Sequence, residues 1–193
     1  MTRRKKSSGK THPRISTTTP SKAPEKTALI GLISDTHGLL RDEVLRALHG
    51  CELIIHAGDV GDAKILDALR QLAPVVAVRG NVDTEPWASS LPETAVVEAG
   101  AVSIYVLHDV NALDVNPAVA GFHVVVSGHS HKPGRTERGG VVYINPGSAG
   151  PRRFSLPITL ARLNLGVTPW ALEFVDLEKM QLRRSSLRSK HSQ

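Results

Sequence analysis

The sequence predicts an α/β fold in which two β-sheets pack face to face with helices outside. Three observations carry that prediction. Residues 28–81 alternate short apolar runs with helically spaced ones, the βαβαβ order of a parallel sheet. Residues 95–176 hold mostly further strand-like runs. Polar residues able to bind metal fall just after several of the apolar runs, where the carboxyl ends of parallel strands form a ligand crevice.

Taken in order, Ala28–Ser34 is an apolar run ending at Asp35 and reads as a buried strand. Residues 39–48 place Leu40, Val44, Leu45 and Leu48 at helical spacing, and Gly50 supplies a stop. Glu52–His56 is a second strand and Ala63–Leu72 a second helix, with Asp62 available as its N-cap. Val75–Val78 is a third strand, ending at Arg79-Gly80-Asn81. Ala95–Glu98 and Val102–Leu107 flank Ala99-Gly100, which reads as a hairpin turn. Pro117–Gly121 reads as a short helix. Val124–Ser127, Val141–Ile144, Ile158–Asn164 and Ala171–Asp176 complete the strands, and no internal repeat is visible.

The 193 residues suit one domain. Aromatic residues are only 4 %, so the core must be aliphatic. No apolar run approaches the roughly 18 residues of a membrane helix, so a soluble, cytoplasmic protein is expected. Cys51 is the single cysteine, which excludes an intrachain disulfide; beside an apolar strand it reads as a small core residue. The net charge of +6 sits in the ends. Residues 1–26 carry eight Lys/Arg against one acid and residues 177–193 five against one, while residues 27–176 hold sixteen acids against eleven bases. The expected organisation is a disordered basic tail (1–26), a domain (27–178) and a flexible basic tail (179–193), because the ends have no apolar period to offset their ordering entropy. The first segment lacks the hydrophobic region of a secretory signal and shares only its basic, Ser/Thr-rich composition with organellar transit peptides.

The chemistry lies at the strand ends. Asp35 and His37 follow the first strand, Asp59 the second, Asn81 the third, His108 the strand ending at Leu107, and His129 and His131 the strand ending at Ser127. Five strand ends thus deliver seven metal-competent side chains to one edge. Carboxylate, imidazole and amide without thiolate suit hard or borderline ions: Mn²⁺ first, with Fe, Zn²⁺, Ni²⁺ or Mg²⁺ in the same range. An aspartate can bridge two ions, and two ions about 3.5–4 Å apart can bind both an attacking oxygen and a phosphoryl group. Taken singly, Asn81 could equally be a turn residue, and His56, His123, His49 and Asp109 read as structural. Trp87 reads either as a pocket wall or as a core anchor.

The ordered set Asp35-x-His37, Gly58-Asp59, Gly80-Asn81, His108 and Gly128-His129-x-His131 resembles the calcineurin-like metallophosphoesterase superfamily. Ile33-Ser34-Asp35-Thr36-His37-Gly38, His56-Ala57-Gly58-Asp59, Arg79-Gly80-Asn81-Val82-Asp83 and Asn145-Pro146-Gly147-Ser148 resemble its small YfcE-like phosphodiesterase branch, over about residues 28–176. The resemblance implies a four-layer αββα sandwich of two mixed sheets flanked by helices. It implies a first metal on Asp35, His37, Asp59 and His131, with Asp59 bridging to a second on Asn81, His108 and His129. Asn81, Asp59 and His37 would form the catalytic group, Asn81 orienting the phosphate. Hydrolysis of a phosphodiester, or of another small phosphate ester, would proceed by in-line attack of a metal-bridging hydroxide. Many members carry a His after the Asn to protonate the leaving group; here Val82 stands there, so easily departing groups should react best.

Two other readings remain. The branch also resembles a retromer coat subunit, a protein-binding scaffold that has lost some of the ligands this chain keeps. The basic tails could tether the protein to nucleic acid, a salt-sensitive contact, though solvated tails are the favoured expectation. Oligomerisation is expected only through the resemblance.

Overall fold

In the computed structural model, which describes residues 21–22, 29–153 and 155–182, the apolar runs become strands because both faces of most of them are covered. One sheet holds β2 (Leu29–Ile33), β3 (Leu53–His56), β4 (Val75–Ala77), β10 (Thr159–Asn164) and β11 (Ala171–Asp176) in the order β11-β10-β2-β3-β4. The other holds β1 (Ser21–Lys22), β5 (Thr94–Ala99), β6 (Val102–Leu107), β7 (Val124–Val126), β8 (Gly134–Arg138) and β9 (Val141–Asn145) in the order β1-β5-β6-β7-β9-β8. Strands β2, β3 and β4 run parallel, as do β6, β7 and β9. The antiparallel partners β10, β5 and β8 make both sheets mixed. The protein therefore has the α/β sandwich of two mixed sheets.

Alternation along each strand sorts the aliphatic side chains into layers. Ile30, Leu32, Leu53 and Ile55 face Val97, Ile104, Val106, Val124 and Ile144 between the sheets. Ile33 and Ile54 face the other way, under helices α1 (Asp42–Leu48) and α2 (Ala63–Arg70), which contribute Val44, Leu48, Ile65 and Leu69. Asp62 caps α2, its carboxylate accepting from the Lys64 amide at 2.9 Å. Cys51 is buried in this layer, and Trp87 packs against it as a core anchor. The outer face of the second sheet has a thinner cover. Tyr105, Leu107, Val125 and Val141 lie under Leu113, Val115 and Phe122 of the connection from β6 to β7, which contains only a short 3₁₀ turn, Val110–Ala112.

Four local expectations need correction. Pro117–Gly121 is a hydrogen-bonded turn, not a helix: the chain reverses at Gly121, whose φ is +81°, and the Phe122 amide closes the turn on the Pro117 carbonyl. Strand β8 was not anticipated. Its sequence, Gly-Arg-Thr-Glu-Arg, is largely exposed at the sheet edge and carries no apolar period; the Gly139-Gly140 turn, with both φ positive, was the available signal. Ser21–Lys22, inside the segment read as a disordered tail, pairs with Val97 and Glu98 because β5 would otherwise leave its edge hydrogen-bonding groups unpaired. Residues 177–182 are helical and start from the buried Leu177, with Met180 packed on the same layer, so order runs past residue 178. The rest of both tails lies outside the described residues. No helix among the described residues is long and apolar enough to cross a membrane.

Ile104 is fully buried between the sheets. Truncating it to Ala should cost about 2–5 kcal/mol through lost burial and the cavity left behind, read as a lower denaturation midpoint in urea with unchanged slope.

Candidate metal centre

Parallel strands of both sheets end on the same side, and the loops that leave them meet there. The loop after β2 is zipped to the loop after β3: the amides of Asp35, His37 and Gly38 bond the carbonyls of Gly58, Asp59 and Val60 at 2.8–3.0 Å. The Gly128 amide bonds the His108 carbonyl at 2.9 Å, tying the ends of β7 and β6 together. Asn145 donates to the Gly128 carbonyl at 2.6 Å and accepts from the Gly147 amide at 2.9 Å, which fixes the segment carrying His129 and His131.

All seven expected side chains converge. Asp35 Oδ1 lies 3.1 Å from His131 Nε2 and 3.9 Å from His37 Nε2, and those two nitrogens are 3.3 Å apart. Asp59 Oδ2 lies 3.3 Å from His108 Nε2 and 3.8 Å from His37 Nε2. Asn81 Oδ1 lies 3.1 Å from His108 Nε2 and 3.0 Å from His129 Nδ1. Two groups of ligand atoms fall within 4.8 Å of one another: Asp35, His37 and His131, and Asp35, Asp59 and His108. The cluster thus has two halves, and Asp59 Oδ2 faces an imidazole of each.

The backbone beneath these residues is unusual. Among the described residues, the non-glycine positions with positive φ are Asp35 (55°), His37 (46°), Asp59 (54°), His129 (65°) and His131 (58°), all five of them candidate ligands. Left-handed backbone at a non-glycine residue costs about 1–3 kcal/mol and persists only where surrounding structure enforces it. Glycines beside the ligands are required by space. A Cβ on Gly80 would sit 2.1 Å from Asp59 Oδ1 and 2.2 Å from the Asp59 amide; one on Gly58 would sit 2.7 Å from His108 Nδ1.

The electrostatics call for a cation. Asp35 is fully buried, and its Oδ1 has no hydrogen-bond partner among the described residues. Burial pushes this carboxyl up to about 6, against the Ser34 hydroxyl and His108. Burial pushes His131 down to about 4, assisted by the charge of Arg153, and the same two causes lower His37. Burial also opposes the charge on Asp59, but hydrogen bonds from His108 and the Val82 amide outweigh it and hold this carboxyl below its ordinary range. Burial works against protonating His108, and its contacts with Asp59 and the Ala57 carbonyl overcome that and raise it. His108 Nδ1 lies 2.7 Å from the Ala57 carbonyl and must donate to it. Its Nε2 then either carries a second proton or offers a lone pair toward Asp59 and Asn81. An unpartnered buried carboxylate oxygen, lone pairs on several imidazoles and an amide oxygen fit divalent cations, with the Ala57 carbonyl fixing one imidazole from behind.

His56 and Asp109 lie beside the converging donors, Asp109 with its Oδ2 3.9 Å from His129 Nε2, and both have bonds of their own. Thr36 Oγ1 donates to the Val60 carbonyl at 2.9 Å, so His56 Nε2, 3.0 Å away, must donate to Thr36 and leave its Nδ1 bare and buried. Asp109 caps the Val110–Ala112 turn through the Asn111 amide at 2.9 Å. Three residues escaped the sequence reading as contributors: Asp83, Asn145 and Arg153. The first two lie inside the motifs named above, but the Val60 and Gly61 amides that Asp83 accepts from and the Gly128 carbonyl that Asn145 donates to lie far along the chain, where no spacing rule reveals them. A groove of about 750 Å³ opens beside the Asn81–His108–His129 half, lined also by Arg79, Glu85 and Glu93.

Known proteins resemble this chain in sequence and fold. The calcineurin-like phosphoesterase superfamily domain matches residues 29–166. A protein named as a probable metallophosphoesterase from Methanocaldococcus jannaschii is 35 % identical over 158 residues, covering 75 % of this chain and 80 % of its own length. Phosphodiesterase YfcE of Escherichia coli is 28 % identical over 161 residues, covering 68 % and 84 %. Among solved structures, Vps29 of Chaetomium thermophilum superposes with a TM-score of 0.63 at 21 % identity, over 77 % of this chain and 95 % of that one, a likeness of fold.

Two outcomes test the centre. Gly80→Ala must displace Asp59; it should weaken Mn²⁺ binding in a titration by about tenfold or more, the scale on which supporting positions act. His56 is neutral when folded with its pKa pushed by burial down to about 4, against 6.5 for a free imidazole. The unfolded chain therefore takes up the proton first as pH falls. His56 costs no stability above pH 6.5 and on the order of 3 kcal/mol once pH falls below about 4. Urea midpoints should fall less steeply across that window in His56→Asn than in the wild type.

Proposed function

The chain belongs to the calcineurin-like phosphoesterase superfamily, and from that premise we propose that it hydrolyses phosphodiesters with two divalent cations. The observation that carries the reading is the pair of ligand groups sharing Asp35, with Asp59 Oδ2 turned toward both halves. Asp35, His37, Asp59 and His131 would hold the first ion, and Asp59, Asn81, His108 and His129 the second. When bound, such ions polarise phosphoryl oxygens and lower the pKa of water.

The remaining work falls to the chain's own residues. Asp59 Oδ1 is anchored by the Val82 amide at 3.0 Å, which leaves Oδ2 as the oxygen that would serve both ions. Asn81 turns its Oδ1 to His108 and His129, so its Nδ2 is the group available to orient a phosphate. His37 Nε2 lies 3.8 Å from Asp59 Oδ2 and 3.3 Å from His131 Nε2, within the half that would hold the first ion. Val82 is 42 % exposed and carries no proton, so the leaving group departs without a donor from that position. The name of the Escherichia coli relative supports diesters over monoesters, and small phosphate esters are the substrate class. Mn²⁺ is the preferred ion, with Fe, Zn²⁺, Ni²⁺ and Mg²⁺ able to use the same donors. A cytoplasmic location goes with this reading.

The wild type should cleave bis-p-nitrophenyl phosphate with added Mn²⁺. Asp59→Asn and His129→Ala should each lower kcat by about a hundredfold or more, since they remove groups that hold the ions stabilising transition-state charge. Turnover unchanged in either variant overturns the assignment. Wild-type protein that binds metal but cleaves neither diesters nor monoesters would favour the second reading, a protein-binding scaffold, which the likeness to Vps29 supports only at the level of fold.

A further inference from the structure

Asp83 binds no metal in the reading above, yet it is 3 % exposed and accepts three backbone hydrogen bonds. Oδ2 takes the amides of Val60 at 3.1 Å and Gly80 at 2.8 Å, and Oδ1 takes that of Gly61 at 2.8 Å. Val60 and Gly61 directly follow Asp59 on the loop after β3. Gly80 directly precedes Asn81 on the loop after β4. One carboxylate therefore staples together the two loops that carry Asp59 and Asn81, using charge-assisted bonds about twice as strong as neutral ones. The stapled loop returns the contact: the Val82 amide holds Asp59 Oδ1 at 3.0 Å.

We infer that Asp83 is a positioning residue that sets Asp59 and Asn81 in register and so controls the half of the site made by Asn81, His108 and His129. The inference rests on the dinuclear reading. The other half has supports of its own. Ser148 Oγ donates to the Asp35 carbonyl at 2.9 Å, the Ser34 hydroxyl lies 2.6 Å from Asp35 Oδ2, and the His129 amide donates to that oxygen at 3.2 Å. Loss of Asp83 therefore acts unequally on the two ions. Asp83→Asn is the milder change. With its oxygen in the Oδ2 place it keeps two amides and turns an NH₂ toward the Gly61 N–H, a donor facing a donor. Asp83→Ala removes all three bonds.

The test is calorimetric titration of metal-free wild type, Asp83→Asn and Asp83→Ala with Mn²⁺, with electron paramagnetic resonance to separate spin-coupled pairs from isolated ions. The wild type takes up two ions. Asp83→Ala keeps one ion near wild-type affinity and loses about tenfold to a hundredfold on the other, with the coupled signal giving way to the isolated one; Asp83→Asn falls between. A second readout needs no metal. In the metal-free variants the amides of Gly61 and Gly80 exchange faster while those of β2 keep their protection. If Asp83→Ala does not fold, Asp83→Asn carries both comparisons. Two ions bound as in the wild type, or equal loss of both, overturns the inference while leaving the dinuclear reading intact. A wild type that binds a single ion overturns both.

Discussion

Two buried carboxylates face several imidazoles across a few ångströms, and the rest of the fold is arranged around that cluster. Asp35 and Asp59 are almost completely removed from water. An ionised carboxylate in such a place is costly unless something positive answers it. The imidazoles of His37 and His131 answer it poorly, because burial and Arg153 lower their affinity for a proton. His108 can answer only by taking a second proton, and in doing so it gives up the lone pair that points at Asp59. The cluster is a set of acceptors, and a divalent cation is the simplest addition that would satisfy all of them together.

Holding acceptors this close needs rigid surroundings. Five candidate ligands sit in left-handed backbone, and three of the loops that build the site have glycine where a candidate ligand's side chain fills the space of a Cβ. Gly128 is the third case, its absent Cβ lying where Asp35 Oδ2 and Ser34 come within 2.8 Å. Such strain relaxes in an isolated loop. Here each loop is bonded to the next, so none can relax alone, and the aliphatic layers beneath hold the strand ends in place. The sandwich also explains why one centre draws on two sheets: parallel strands in both point their carboxyl ends the same way.

The residues that converge at the candidate centre are legible in the sequence because their chemistry is in the side chain and their position, just after an apolar run, is one-dimensional. Parallel strands were legible because burial on both faces leaves a continuous run of Val, Ile and Leu. Features that depend on partners far along the chain were not. Asp83 looks like any loop acid until folding brings the Val60 and Gly61 amides to it. The positive φ of His129 and His131 leaves no mark in a residue type that does not require it. Strand β8 leaves no apolar period to read because an edge strand buries little, and Pro117–Gly121 resembles a helix in sequence because one turn with a proline start looks like the first turn of one.

That edge strand has a consequence of its own. Among the described residues β8 ends the six-stranded sheet, and an open edge is a template on which a second molecule could add a strand. Residues 135–138 present Arg, Thr, Glu and Arg, all exposed, with Arg135 and Glu137 paired at 3.0 Å. A chain approaching that edge would have to strip water from several charges before its first backbone bond formed. The sheet is thereby kept finite in width, and the protein is guarded against edge-to-edge aggregation by residues that add little to its core.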